Sequence, residues 1–107
     1  MNKNVINTGF NKVIKSRHGV LLYNKNDIYI GKSIEKYGEF SHLEAKLFEQ
    51  ICKDGDVVIE VGANIGAHTV YLSKLVGKGV VIAFEPQRLV FQNLCANLAI
   101  NSISNVF

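Results

Sequence analysis

Two short runs in the chain, VVIEV at 57–61 and VVIAFE at 80–85, are apolar but for one acid each, and each is followed by a stretch whose apolar residues recur at helical spacing. A run apolar on both faces predicts a central parallel strand covered by helices, because a half-exposed strand would alternate. After the first run, AHTVYLSKLV places Val70, Leu72, Leu75 and Val76 for packing, and GKG closes that helix. After the second, Pro86 stands where a helix can begin, and Val90, Phe91, Leu94, Cys95 and Leu98 form the stripe of the next one. NSISN is its exit, and Val106-Phe107 reads as a third strand just begun.

Ahead of these units, SHLEAKLFEQICK predicts a helix from about His42 to Lys53. Ser41 with Glu44 has the spacing of a capping box, and Leu43, Leu47 and Ile51, with Phe48 beside them, make a stripe expected to pack on the sheet. Before residue 40 the pattern is of short apolar runs between turn residues. GVLLYN and DIYIG, joined through Asn24, Lys25, Asn26 and Asp27, predict a β-hairpin.

Helix, strand, helix, strand, helix, strand implies α/β architecture with a parallel sheet of βαβ units. Residues 1–39 are expected to form an N-terminal segment with the hairpin, and residues 40–107 the first half of a doubly wound domain. Two parallel strands and a stub leave an open edge, so either a continuing half or a second copy of the chain is expected to cover it.

Composition adds limits. The 107 residues are 48% hydrophobic, enough for one core. No apolar run reaches membrane-spanning length, and MNKNVINTGFNK has no apolar segment after its basic residues, so neither a span nor a signal peptide is expected and a cytoplasmic location is the default. Residues 1–40 carry seven Lys/Arg against three acids, and 41–107 five against six. The lysines are scattered, with no arginine cluster or interleaved aromatic platform, so a solvated surface is expected and not a nucleic-acid partner. Cys52 and Cys95 lack Cys or His neighbours at metal-ligand spacing, so no metal site is expected; both read as small buried hydrophobes.

The chemistry concentrates at VVIEVGANIGAHT, 57–69. In an open α/β sheet, ligands bind at the carboxyl ends of the strands, and GANIG is such a strand-end loop. Gly62 lets backbone approach a ligand, and Gly66 permits close packing where the helix starts. Glu60 ends the first strand and is suited to accept hydrogen bonds from an ammonium or hydroxyl group. Glu85 ends the second strand, placed for both hydroxyls of a ribose. A dinucleotide fingerprint wants glycine where Asn64 stands, and an acid before the loop repels pyrophosphate but welcomes the positive methionine end of S-adenosylmethionine. The phosphate loop of nucleotide triphosphatases is absent.

With those residues in view, VIEVGANIGAHTVYLSKLVGKGVVIAFEPQRLVFQNLCANLAINSISNV resembles the front half of an FkbM-type methyltransferase, within the S-adenosylmethionine-dependent, Rossmann-like class I enzymes. The similarity rests on VGANIG, Thr69, AFEP, the Asn-rich end of the next helix, and YGEF before a helix carrying Glu44; it covers roughly residues 36–107. It implies methyl transfer to a hydroxyl of a small-molecule or glycan acceptor, commonly a sugar or polyketide-like product. It also implies cofactor binding through Glu60, Gly62, Ala63, Asn64, Ile65, Gly66, Thr69, Glu85 and Pro86. The family often has Asp where this chain has Glu60. No catalytic base can be named.

Plain readings stand beside these. Glu60 and Glu85 could be surface acids, but their places before a glycine turn and at a strand end favour the cofactor. Asn64 suits helix capping as well as ligand contact. His68, His42 and His18 read first as surface or packing residues, and Tyr37 and Glu39 suit an ordinary turn as well as a lid over the cofactor. The competing function is a non-catalytic nucleotide-binding or interaction module that pairs through its open sheet edge; a nicotinamide-dependent dehydrogenase is a third, disfavoured by Asn64.

Overall fold

The computed structural model describes residues 6–107; the first five residues, part of the segment read for a targeting signal, lie outside it. Three antiparallel strands come first: β1 (Ile6–Thr8), β2 (Asn11–Lys15) and β3 (Val20–Asn24). Two helices follow, α1 (Ile30–Tyr37) and α2 (His42–Ile51). Then β4 (Val57–Val61), α3 (Ala67–Leu75), β5 (Val80–Phe84) and α4 (Arg88–Ile100) alternate as expected.

β4 and β5 are parallel, in register from Val57↔Val80 to Val61↔Phe84. Beyond β5 the chain end adds a parallel bridge at Val81↔Val106, with the Phe107 N–H donating to Val81 O at 2.8 Å and the Ala83 N–H to Phe107 O at 2.7 Å. The third strand expected at Val106-Phe107 is therefore present as a stub, with β5 at the centre.

The hairpin is elsewhere than predicted. β3 pairs backward with β2, Ile14 opposite Leu21, and DIYIG is not a strand. The Asp27 carboxylate accepts the N–H groups of Tyr29 and Ile30 at 2.9 and 3.0 Å, which satisfies donors at the start of a helix and turns the run into α1. Ile30 and Ile34 then share a helical face, with Ile34 buried.

The predicted α2 packing also needs correction. Ser41 has φ 54° and its side chain makes no capping bond, so the Ser41/Glu44 capping box does not form, and the helix ends at Ile51 rather than Lys53. Leu43 is 82% exposed, and Leu47 and Ile51 are exposed with it. The helix instead turns Ala45, Phe48 and Cys52 inward, Phe48 and Cys52 packing on the cluster of Leu72, Val76 and Val81.

A second core cluster joins the N-terminal sheet to the rest: Ile14, Leu21 and Tyr23 meet Ile34, Ile65 and Val70. In α4 the packed stripe is rotated from the predicted one. Leu94 and Asn97 are buried, while Phe91 and Cys95 are exposed, so Cys95 is not a buried hydrophobe. The reason is polar. Asn97 accepts the Leu22 N–H at 2.6 Å and donates to Leu22 O and Ile65 O, and Asn101, one turn on, accepts the Val20 N–H and donates to Val20 O. Two carboxamides thus satisfy the open edge of β3, which draws that face of α4 inward.

β4 is covered on one face only. Val58 and Glu60 turn toward the helices, whereas Val57, Ile59 and Val61 are 65%, 66% and 82% exposed, contrary to the expectation of a strand covered on both sides.

Candidate functional site

The loop after β4 is built from its own backbone. The N–H groups of Gly62 and Ala63 both donate to Phe84 O, that of Gly66 donates to Ala63 O, and that of Ile65 to the Asn64 side-chain oxygen. The Asn64 N–H donates to Glu85 Oε1 at 2.8 Å. All five loop donors are consumed inside the protein. Gly62 has φ 76° with open space where a Cβ would point, whereas at Gly66, φ 91°, a Cβ would stand 2.7 Å from Leu94. The first glycine faces an opening and the second packs closely against a helix.

Glu60 is held from the covered side. The Thr69 hydroxyl, fully buried on α3, donates to Glu60 Oε1 at 2.5 Å, and Oε2 has no protein partner among the described residues. Burial pushes the Glu60 carboxyl above its ordinary range, an effect opposed by the Thr69 hydroxyl and by nearby His68. Glu85 works as a clamp, its second oxygen accepting the Gln87 N–H at 3.0 Å, so both strand-end loops are tied to one carboxylate. Each of its oxygens retains lone pairs for a further donor. Pro86 is exposed beside it. Asn64, φ 56°, does not cap α3; Gly66 holds the capping position.

A cavity of about 240 Å³ opens beside the loop, and Phe40, Gly62, Asn64 and His68 are among its walls. Phe40 and His68 were not expected there. His68 Nε2–H donates to Phe40 O at 3.1 Å, and its ring lies 5.4 Å from that of Phe40 and 5.2 Å from that of Phe48. The contact with Phe40 spans 28 residues of sequence and leaves no local signal. Tyr37 is exposed, but Glu39 is buried and bonded to His18 and His42, so those two histidines serve a carboxylate and not the loop. Among the described residues no group of His, Cys, Asp and Glu could hold a metal ion, and no helix is long and apolar enough to cross a membrane.

No protein-family model matches the chain. Over 85 residues it is 26% identical to Methyltransferase 1 of Beauveria bassiana (strain ARSEF 2860), an alignment covering 74% of this chain and 33% of that protein. Among solved structures, M. jannaschii TYW2 in complex with AdoMet superposes with a TM-score of 0.72 at 22% identity, over 95% of this chain and 43% of that one. Aeropyrum pernix fibrillarin, in complex with natively bound S-adenosyl-L-methionine, gives 0.50 at 17%, over 100% of this chain and 56% of that one. The chain thus spans a third of the length of the curated relative and less than half of TYW2. Its architecture is part of the fold of class I S-adenosylmethionine methyltransferases.

Proposed function

We propose that the chain binds S-adenosylmethionine at the 62–66 loop and forms the cofactor-binding part of a methyltransferase. The observation that carries this reading is the loop's hydrogen bonding. With every loop N–H already used, the loop cannot cradle a pyrophosphate, while two carboxylates at adjacent strand ends offer acceptors only. A ligand with a cationic end and a hydroxyl-bearing end fits that set.

Glu60 Oε2 takes the cofactor's ammonium, with Thr69 fixing the carboxylate. Glu85 takes the ribose hydroxyls on its remaining lone pairs. Gly62 leaves room above the loop, Ala63, Ile65 and Gly66 seat it on the core, and Asn64 and Pro86 border the ligand. The cofactor supplies an electrophilic methyl on a positive sulfur, open to in-line attack by an acceptor oxygen. The protein's share is alignment, by fixed loops at two strand ends. The resemblance in VGANIG and AFEP to FkbM-type enzymes supports a hydroxyl acceptor on a sugar or polyketide-like product.

Isothermal titration calorimetry with S-adenosylmethionine, S-adenosylhomocysteine and NAD tests the reading. The parent chain is expected to bind the first two at least about tenfold more tightly than NAD, and Glu60→Gln and Glu85→Ala are expected to lose most of that affinity. A folded parent that binds neither would leave the second reading, an interaction module, which the bare face of β4 favours.

A further inference from the structure

The segment between α1 and α2 is irregular, and Ser41 within it holds a left-handed backbone, so its shape depends on what grips it. Four elements do so. Glu39, 7% exposed, accepts His42 Nδ1–H at 2.7 Å and His18 Nε2–H at 3.1 Å, with Arg17 Nε at 3.4 Å. The Arg17 N–H donates to Gly38 O at 2.7 Å, the Ser33 hydroxyl to Glu39 O at 2.8 Å, and His68 to Phe40 O. His18 also stacks on Tyr71 at 4.0 Å, which ties the β2–β3 turn to α3. A buried carboxylate is costly unless its partners are arranged around it, and here that arrangement fixes the backbone on either side of Phe40. Phe40 in turn lines the cavity beside Gly62.

We propose that Phe40 is a cofactor-binding residue that walls the methionyl side of the pocket, and that Glu39 is the positioning residue that sets it. The inference rests on the reading that the loop binds S-adenosylmethionine. An aromatic ring beside a positive sulfur is favourable, and the contact loses that advantage once the sulfur becomes neutral. Phe40 therefore favours the methyl donor over its demethylated product, a selectivity that the two carboxylates, which meet groups common to both, do not supply.

The test titrates the full chain and its Phe40→Leu, Glu39→Gln and Glu39→Ala variants with S-adenosylmethionine and S-adenosylhomocysteine, with thermal unfolding to confirm folding. Phe40→Leu keeps apolar bulk and is expected to lose about tenfold for S-adenosylmethionine but less than about threefold for the neutral homologue. A residue that acted only on the fold would shift both alike. Glu39→Ala is expected to weaken both ligands about tenfold, and Glu39→Gln, which keeps an acceptor for a histidine, to restore most of the loss. Should Glu39→Ala fail to fold, Phe40→Leu decides. A folded Phe40→Leu chain that binds both ligands as the parent does, or loses both equally, overturns the proposal and leaves the cofactor reading intact. A parent that binds neither ligand overturns both.

Discussion

The two faces of β4 both carry β-branched apolar side chains and meet opposite surroundings. On the inner face, Val58 packs with Leu72, Val76 and Val81, and Glu60 is held by Thr69. On the outer face Val57, Ile59 and Val61 meet solvent. Besides the end of β5, whose Phe84 carbonyl and Glu85 carboxylate take loop N–H groups, the loop is supported from the inner side: Thr69 on Glu60, Leu94 against Gly66, and Asn97 on the Ile65 carbonyl. The strand is suited to two covers, yet the loop needs only one to take its shape.

Paired truncations separate the two faces most directly. Leu72→Ala on the inner side should cost about 2–5 kcal/mol in urea unfolding, and Ile59→Ala on the outer side no more than about 0.5 kcal/mol. Similar losses would mean that another surface covers the outer face in solution. The glycines repeat the contrast within the loop. Gly66→Ala meets both a left-handed backbone and Leu94 and should cost about 3 kcal/mol, whereas Gly62→Ala meets the backbone term alone, about 1 kcal/mol. Asn97→Ala should cost about 2 kcal/mol by leaving buried peptide groups unpaired, with faster amide exchange at Leu22 as its local mark.

On the inner face, ionisation of Glu60 gives a pH-dependent effect. Glu60 must be ionised to hold an ammonium, so S-adenosylmethionine affinity should fall by roughly tenfold per pH unit below its raised pKa, above the usual carboxylate range, and Glu60→Gln should flatten that profile. The sign for folding is opposite. A carboxyl whose pKa burial raises in the folded state contributes stability at low pH that is lost as pH rises through that pKa.

The parallel unit was legible in the sequence because its signals are local: continuous apolar strands, glycines at the turns, and acids at the strand ends. The N-terminal half was not. IYI is a short run of β-favouring residues as a strand is, and only the Asp27 carboxylate reaching Tyr29 and Ile30 decides for a helix. On α2, an apolar stripe at spacing four lost to a face led by Phe48, whose ring finds His68. On α4, counting apolar residues alone turned the helix toward Phe91 and Cys95, because asparagines were not expected in the packed stripe. In the site, Glu60, the glycines and Glu85 could be picked out by residue type, whereas Phe40 and His68 meet only through tertiary contact.

The carboxamides of Asn97 and Asn101 have a bearing on association. They occupy, as a neighbouring strand would, the alternate peptide groups at Val20 and Leu22 that another chain would need for pairing. A strand added there must first displace those bonds, and two side chains fixed on a helix are pre-organised competitors. Edge-to-edge association at β3 is thereby closed. In the parallel sheet a further strand can still be recruited at the outer edge of β4, where it would carry Val57, Ile59 and Val61 into the joined sheet.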